Sequence, residues 1–140
     1  MAAKLVTRAG LGAAALGLAV MLAAQTRERT VRDGVFSAAQ AERGARVFES
    51  ICTNCHELAE FTAAGAYLDE VEGKPLWKTF EYVSAEMPED DPSSLRPEEY
   101  AAVLAYIFSV YGLPTGNTDL AIDQGSLEAI TIVRPAPPGS

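Results

Sequence analysis

The stretch Cys52-Thr53-Asn54-Cys55-His56 decides how this chain folds. It places two thiols three positions apart and puts a histidine directly after the second thiol. On one helical turn, thiols at this spacing can bind two points on the same edge of a flat cofactor, and the histidine then lies beneath its centre. The five residues therefore predict a covalently held prosthetic group around which the rest of the chain packs.

The C-x-x-C-H spacing is the attachment signature of a c-type haem. Each thiol can form a thioether with one of the two vinyl groups on one porphyrin edge, and the imidazole becomes the proximal iron ligand. We therefore predict one haem c, attached covalently through Cys52 and Cys55, with His56 as a metal ligand.

Three other interpretations of the two cysteines stay open. A thioredoxin-like dithiol needs a strand leading into it, and here a helical pattern precedes the motif. A zinc site needs further ligands, and the chain has no other Cys or His, so they would have to be carboxylates or come from another subunit. A disulfide between Cys52 and Cys55 would close a very tight ring, so its geometry would be poor and loop closure would stabilise the fold little.

The sixth iron ligand is predicted by elimination. His56 is the only histidine, so two histidines from one chain are excluded, and Met87 is the only methionine after the N-terminal segment. Pro88 follows it and restricts the backbone that would present the sulfur. Thioether ligation by Met87 matches the His/Met pairing of low-spin c-type haems. Lys74, Lys78, a tyrosine or a vacant position are the alternatives, and a lone methionine otherwise often just fills the core.

Helical patterns surround the motif. Ser37 and Gln40 form a capping box at the start of a predicted helix over residues 38–49. A second helix is predicted from Pro75 to about Ala85, and a third from Pro97 to shortly before Gly112. Residues 57–73 lack a clear period and are predicted to be a loop with at most one short helix.

The N-terminus resembles an export signal. Lys4 and Arg8 precede an apolar run without charge over residues 9–24. This run is short for a helix that spans a bilayer, which favours a signal peptide, with an uncleaved membrane anchor as the alternative. In both cases the folded part lies outside the cytoplasm, since the two cations stay on the inner side.

The chain divides into four predicted parts. Residues 1–24 form the signal peptide or membrane anchor, 25–36 an irregular lead-in segment, 37–114 the haem domain, and 115–140 a C-terminal extension. In the extension, Leu127, Ile130 and Ile132 are expected to pack back onto the body.

Charge limits the partners. The 140 residues include 19 Asp and Glu against 11 Lys and Arg, and the basic residues are scattered, so no nucleic-acid partner is expected. Four acidic residues flank Met87, and they are Glu86, Glu89, Asp90 and Asp91. They form either a negative docking surface for a redox partner or an ordinary solvated segment.

The chain resembles a small class I cytochrome c over roughly residues 36–116. The resemblance is carried by Gly44-x-x-x-Phe48, the motif Cys52-x-x-Cys55-His56, Met87-Pro88, and Val103-Leu104-Ala105-Tyr106. It implies an all-α fold in which the glycine lets the first and last helices cross beside an aromatic pair, Phe48 and Tyr106. Residues 86–116 are similar to bacterial cytochromes that serve periplasmic dehydrogenases, including quinoprotein types.

The resemblance also suggests cofactor contacts. Phe48 and Pro88 are expected to contact the haem. Trp77, Phe80 and Val83, apolar side chains on the helix before Met87, are expected to wall its pocket, with ordinary core residues as the alternative. Members of the family usually have a proline soon after the histidine, whose carbonyl accepts a hydrogen bond from Nδ1. No proline occurs here between His56 and Pro75, so another carbonyl is expected to orient the ring. Arg96 also stands where a Ser or Asp helix cap would be typical.

These patterns predict a function in electron transfer rather than in catalysis. A six-coordinate iron has no open position for a substrate, so we expect a one-electron carrier between redox proteins in the periplasm. Donor and acceptor would include a periplasmic dehydrogenase or a membrane oxidase. One alternative is a haem-bearing subunit fixed in a larger respiratory, photosynthetic or dehydrogenase complex in the membrane. Another is a haem enzyme such as a peroxidase, or a gas sensor, with a vacant distal site.

Overall fold

A computed structural model describes residues 28–62 and 66–137. The predicted signal or anchor segment, residues 1–24, lies outside them. The described part is mostly helical. In chain order its elements are strand β1 (Arg29–Thr30), helices α1 (Ala38–Ser50), α2 (Tyr67–Val71), α3 (Leu76–Glu86), α4 (Pro97–Val110) and α5 (Gln124–Glu128), and strand β2 (Ile130–Thr131).

Helices α1 and α4 cross in close contact. The Ser37 hydroxyl accepts a hydrogen bond from the Gln40 backbone N–H at 3.0 Å and begins α1 where predicted. Only this half of the predicted capping box forms, because the Gln40 side chain bonds Leu120 instead. At the crossing, a Cβ atom on Gly44 would lie 1.8 Å from the backbone oxygen of Ala102, so only glycine allows this approach. One turn later the rings of Phe48 and Tyr106 meet at 5.5 Å in an edge-on arrangement. The helix crossing implied by the resemblance is confirmed.

Helix α4 begins without a Ser or Asp cap. Instead the Glu99 carboxylate accepts the backbone N–H of Arg96 at 2.9 Å and also pairs with the Arg96 guanidinium at 3.2 Å. This is the reciprocal half of a capping box, in which the third helical residue reaches back to the cap. Pro97 at the first helical position completes a strong start signal, so the helix keeps its predicted beginning.

The two segments outside the helical body pair with each other. β1 and β2 form a parallel ladder, with Arg29 opposite Ile130 and Thr30 opposite Thr131. A 3-10 turn over Val31–Asp33 follows β1, and Val31 is fully buried. The prediction of an irregular lead-in is therefore wrong for these residues, because parallel pairing joins distant parts of the chain and leaves little local signal.

The C-terminal extension packs on the body as expected. Leu127, Ile130 and Ile132 are all buried. The Gln40 side chain of α1 fixes another part of the extension, since its amide accepts from the Leu120 N–H at 2.6 Å and donates to the Leu120 carbonyl at 3.3 Å. Among the helices of the described ranges, none combines the length and hydropathy required to cross a bilayer.

Candidate functional site

The motif folds as a tight turn at the end of α1. A 3-10 turn over Cys52–Asn54 follows the helix directly. The Cys52 carbonyl accepts backbone hydrogen bonds from Cys55 at 3.2 Å and from His56 at 2.9 Å. Both cysteines are free thiols, and burial raises the pKa of Cys52. The turn therefore keeps the three functional side chains of the motif within one short segment.

The His56 ring has a carboxylate partner. Its Nδ1 lies 3.2 Å from Oε2 of Glu60, one helical turn further along the chain. The sequence predicted a carbonyl in this role, and the structure supplies a side-chain carboxylate instead. Phe61 packs edge-on against the imidazole with ring centroids 5.4 Å apart. The two neighbours leave Nε2 as the ring nitrogen available to a metal.

A cavity of about 560 Å³ lies beside the motif. Its walls are largely apolar and include the two cysteines, His56 and Met87. Aromatic and aliphatic side chains make up much of the lining, and they include Phe48, Phe61, Tyr67, Val83, Pro88, Tyr100, Val103 and Ile107. The volume falls within the range of about 300 to 1,000 Å³ that is usual for cofactor sites.

Met87 reaches the cavity from the end of α3. The helix ends at Glu86, and Met87 adopts an extended backbone immediately after it. The Tyr100 hydroxyl of α4 donates to the Met87 carbonyl at 2.7 Å. Met87 is half-buried and lines the same cavity as His56. The end of α3, bonded to α4, thus places Met87, the predicted sixth ligand, in the same cavity as His56, the predicted fifth ligand.

Two of the predicted pocket residues lie elsewhere. Trp77 and Phe80 stack on each other at 5.6 Å and are not among the residues that line the cavity. Phe80 is buried in the core beneath α3. Val83, the third side chain of α3 expected at the pocket, does line the cavity, and Tyr82 beside it lines the cavity as well. The other two predicted contacts, Phe48 and Pro88, do line it.

Several lining residues were not predicted as contacts. Phe61 and Tyr67 belong to the segment without a clear period, so no sequence signal pointed to them. Tyr67 is mostly buried, and desolvation, with smaller contributions from Glu70 and Tyr82, raises its pKa to about 12. Tyr67 is therefore a neutral phenol at physiological pH. Val103 and Ile107, which line the cavity from α4, were not predicted as contacts either.

The structure also places the alternative ligands. Lys74 and Lys78 do not line the cavity, and the Lys78 ammonium pairs with Glu81 at 3.1 Å on the surface. Of the tyrosines, Tyr67, Tyr82 and Tyr100 line it. Within residues 28–62 and 66–137, no three His, Cys, Asp or Glu side chains are grouped as a metal ion would require.

The donor set fits a haem. Two thiols on one turn, an imidazole fixed at Nδ1 and a thioether all face one apolar cavity of suitable volume. Soft sulfur and imidazole donors are the ones that c-type haem iron takes. Their side chains come from the turn after α1 and from the end of α3, so the fold itself brings them together.

Comparison with known proteins agrees with this chemistry. Residues 39–107 match the model of the family described as cytochrome C oxidase, cbb3-type, subunit III. The match supports a c-type cytochrome domain, which implies covalently bound haem c and a role in electron transfer. No curated protein and no solved structure shows a significant match. The matched range includes the C-x-x-C-H turn, Met87 and most of α4.

Proposed function

We propose that this protein is a monohaem cytochrome c that carries single electrons between redox proteins outside the cytoplasmic membrane. Cys52 and Cys55 would hold the haem through thioethers, and His56 and Met87 would ligate its iron. The observation that carries the proposal is the single cavity lined by all four side chains. When bound, a haem of this type supplies reversible one-electron chemistry at its iron.

The residues of the chain support that chemistry in two ways. Phe48, Val103 and Ile107 give the cavity an apolar wall, which excludes water and favours the less charged state of a bound metal centre. Glu60 and Tyr100 fix the segments that carry the two proposed ligands. Ligands that are held rigidly move little when the redox state of a bound metal changes, which suits electron transfer rather than substrate binding.

Acidic side chains at the cavity indicate the charge of a partner. Glu60, Glu70, Glu89 and Asp90 all line it and are exposed. Glu89 and Asp90 belong to the acidic segment singled out in the sequence. We propose that these groups form a negative docking surface for a redox protein that presents Lys or Arg. A periplasmic dehydrogenase and a membrane oxidase are the candidate partners.

Expression with export in a host that matures c-type cytochromes tests the function. The purified protein should carry one haem by intact mass, remain haem-bound under denaturing conditions, and take up and release one electron reversibly. Cys52→Ala and Cys55→Ala should each lose one thioether, whereas the matched variant Thr53→Ala, within the same turn, should keep both. A protein that binds no haem covalently would contradict the proposal.

The docking surface has its own test. Electron exchange with a small cationic redox reagent should be faster than with an anionic one of equal driving force, and the ratio should shrink as salt is added. Glu89→Gln combined with Asp90→Asn should lower that ratio. The control pair Glu42→Gln and Glu49→Gln removes the same charge from exposed positions of α1 away from the cavity. Equal effects of both pairs would argue against a docking surface.

A second candidate is a haem-bearing subunit of a membrane complex. The matched family is described as a subunit of an oxidase, and residues 9–24 are apolar. Fractionation of the native host separates the candidates. A fixed subunit should stay with the membrane and co-purify with an oxidase in constant ratio, and a diffusing carrier should be released with the periplasmic contents.

A further inference from the structure

We propose that Glu60 is a positioning residue that lowers the reduction potential of the group held by His56, through the hydrogen bond that it accepts from Nδ1. The inference rests on the proposed function, because it needs His56 to be an iron ligand. It goes beyond that function by giving a role to the Glu60 carboxylate, which contacts Nδ1 of His56 where the resemblance implies a backbone carbonyl. Sequence reasoning did not single out Glu60.

The geometry fixes the carboxylate on both of its oxygens. Oε1 accepts the backbone N–H of Glu57 at 2.9 Å, and Oε2 lies 3.2 Å from Nδ1 of His56. Because each oxygen has its own partner, the Glu60 carboxylate is held in place and is not a mobile surface acid.

The next residue holds the ring from another side. Phe61 follows Glu60 in the 3-10 turn Leu58–Phe61, is buried, and packs edge-on against the imidazole. Phe61 in turn packs edge-on against Phe48 of α1, with centroids 5.6 Å apart. Two adjacent residues thus fix the orientation of His56, one by hydrogen bonding and one by packing. Such partners of a metal ligand commonly set both its orientation and its basicity.

The carboxylate differs from a carbonyl in carrying a full negative charge. An anionic acceptor draws the Nδ1 proton toward itself and makes the other ring nitrogen a stronger donor to a metal. A stronger donor and a nearby negative charge both stabilise the more positively charged, oxidised state. Adding one electron to the centre then becomes less favourable, so the potential falls. Removal of this charge should raise it.

Solvent limits the size of the effect. The Glu60 side chain is 50% exposed, so water screens part of its charge. We expect Glu60→Gln to favour reduction by a factor of up to about ten, and a tenfold change corresponds to about 59 mV for a one-electron couple. The potential should rise, because the loss of donor strength at His56 and the loss of the negative charge act in the same direction.

Three variants of the haem-loaded protein test the inference. Glu60→Gln removes the charge, and Glu60→Asp keeps it but shortens the side chain so that it no longer reaches both partners. Glu70→Gln is the matched control, since it removes one exposed acid from the same cavity without contacting His56. Reduction potentials are measured by potentiometric titration, and the Nδ1–H proton of His56 is followed by NMR in the reduced, diamagnetic state.

The expected result has two parts. Both Glu60 variants raise the potential more than Glu70→Gln does, and both move the Nδ1–H resonance upfield or speed its exchange with water, whereas Glu70→Gln leaves that resonance in place. Equal potential shifts in Glu60→Gln and Glu70→Gln, or an unmoved Nδ1–H signal in both Glu60 variants, would overturn the inference. A wild-type protein without covalent haem would instead overturn the proposed function.

Discussion

The Tyr100 hydroxyl donates a hydrogen bond of 2.7 Å to the backbone carbonyl of Met87 and accepts one of 3.2 Å from the backbone N–H of Leu95. Tyr100 lies in the first half of α4 and is buried. The Tyr100 hydroxyl therefore binds the segment between α3 and α4 near both of its ends, at Met87 and at Leu95. Because α4 also crosses α1, the position of the Met87 sulfur depends on the same helix pair that positions the motif.

Replacement of Tyr100 by phenylalanine should loosen Met87. The variant leaves the Met87 carbonyl and the Leu95 N–H without their partner, which should lower the free energy of unfolding by about 1 to 2 kcal/mol. A less constrained methionine should also be displaced more easily from iron by added imidazole. Thermal unfolding and imidazole titration, read from the absorption spectrum, measure both effects.

Tyr106→Phe is the control for this change. It removes a hydroxyl from the same helix, and in the described part of the chain that hydroxyl makes no bond to Met87. Imidazole should displace Met87 at wild-type concentrations in this variant. If both variants respond equally to imidazole, Tyr100 has no specific role in holding Met87.

Gly44→Ala should disrupt the helix crossing. The new Cβ would lie 1.8 Å from the Ala102 oxygen and 2.3 Å from its carbonyl carbon, and backbone atoms cannot move aside without separating α1 from α4. We expect a loss of about 3 kcal/mol or more in the free energy of unfolding. Gly125→Ala in α5 is the control, because its Cβ would meet only the Asp123 side chain at 3.7 Å. Denaturant unfolding of both variants should show a large loss in the first and almost none in the second.

Gln40→Ala should release the extension from α1. Gln40 is buried, and its amide satisfies both the N–H and the carbonyl of Leu120. Without it, two backbone groups lose their partner, at a cost of about 2 to 4 kcal/mol. Amide hydrogen exchange at Leu120 should rise strongly. Gln124→Ala, which removes an exposed amide bonded to Glu128, should leave that exchange rate unchanged.

Tyr111→Phe should stabilise the fold. The Tyr111 hydroxyl is buried and, among the described residues, has no hydrogen-bond partner. Desolvation raises its pKa, so the phenol stays neutral and its burial stays unfavourable at all ordinary pH values. Removing the hydroxyl should raise the free energy of unfolding by about 1 kcal/mol. Tyr82→Phe, at an exposed ring, is the control, and a loss of stability in Tyr111→Phe would show that the hydroxyl has a partner.

Local patterns predicted the helical part of this structure closely. Caps and prolines bounded α1, α3 and α4, and their observed ends lie within two residues of the predicted ones. The close approach at Gly44 and the Phe48–Tyr106 pair also followed from the sequence, through the resemblance. The helix ends depend on neighbours within a few positions, whereas the crossing of α1 and α4 joins distant residues and was implied only by the resemblance.

Other features that depend on contacts between distant parts of the chain were not predicted. The lead-in segment pairs through β1 with β2, a hundred residues further along, in addition to its local 3-10 turn over Val31–Asp33. Trp77, Phe80 and Val83 were all expected at the pocket, yet of the three only Val83 lines the cavity, while Trp77 and Phe80 stack on each other. The Glu60 contact could not be predicted either, since it depends on a 3-10 turn in a segment without a period.

Absorption spectra of the oxidised and reduced haem-loaded protein, recorded for the wild type and for Met87→Ala, test whether Met87 ligates the iron. We predict a low-spin spectrum with a weak sulfur-to-iron band in the oxidised wild type, and loss of that band in the variant. Val83→Ala, which alters the same cavity wall without removing a ligand, should keep the band. A high-spin wild type, or a spectrum that Met87→Ala leaves unchanged, would contradict ligation of the iron by Met87.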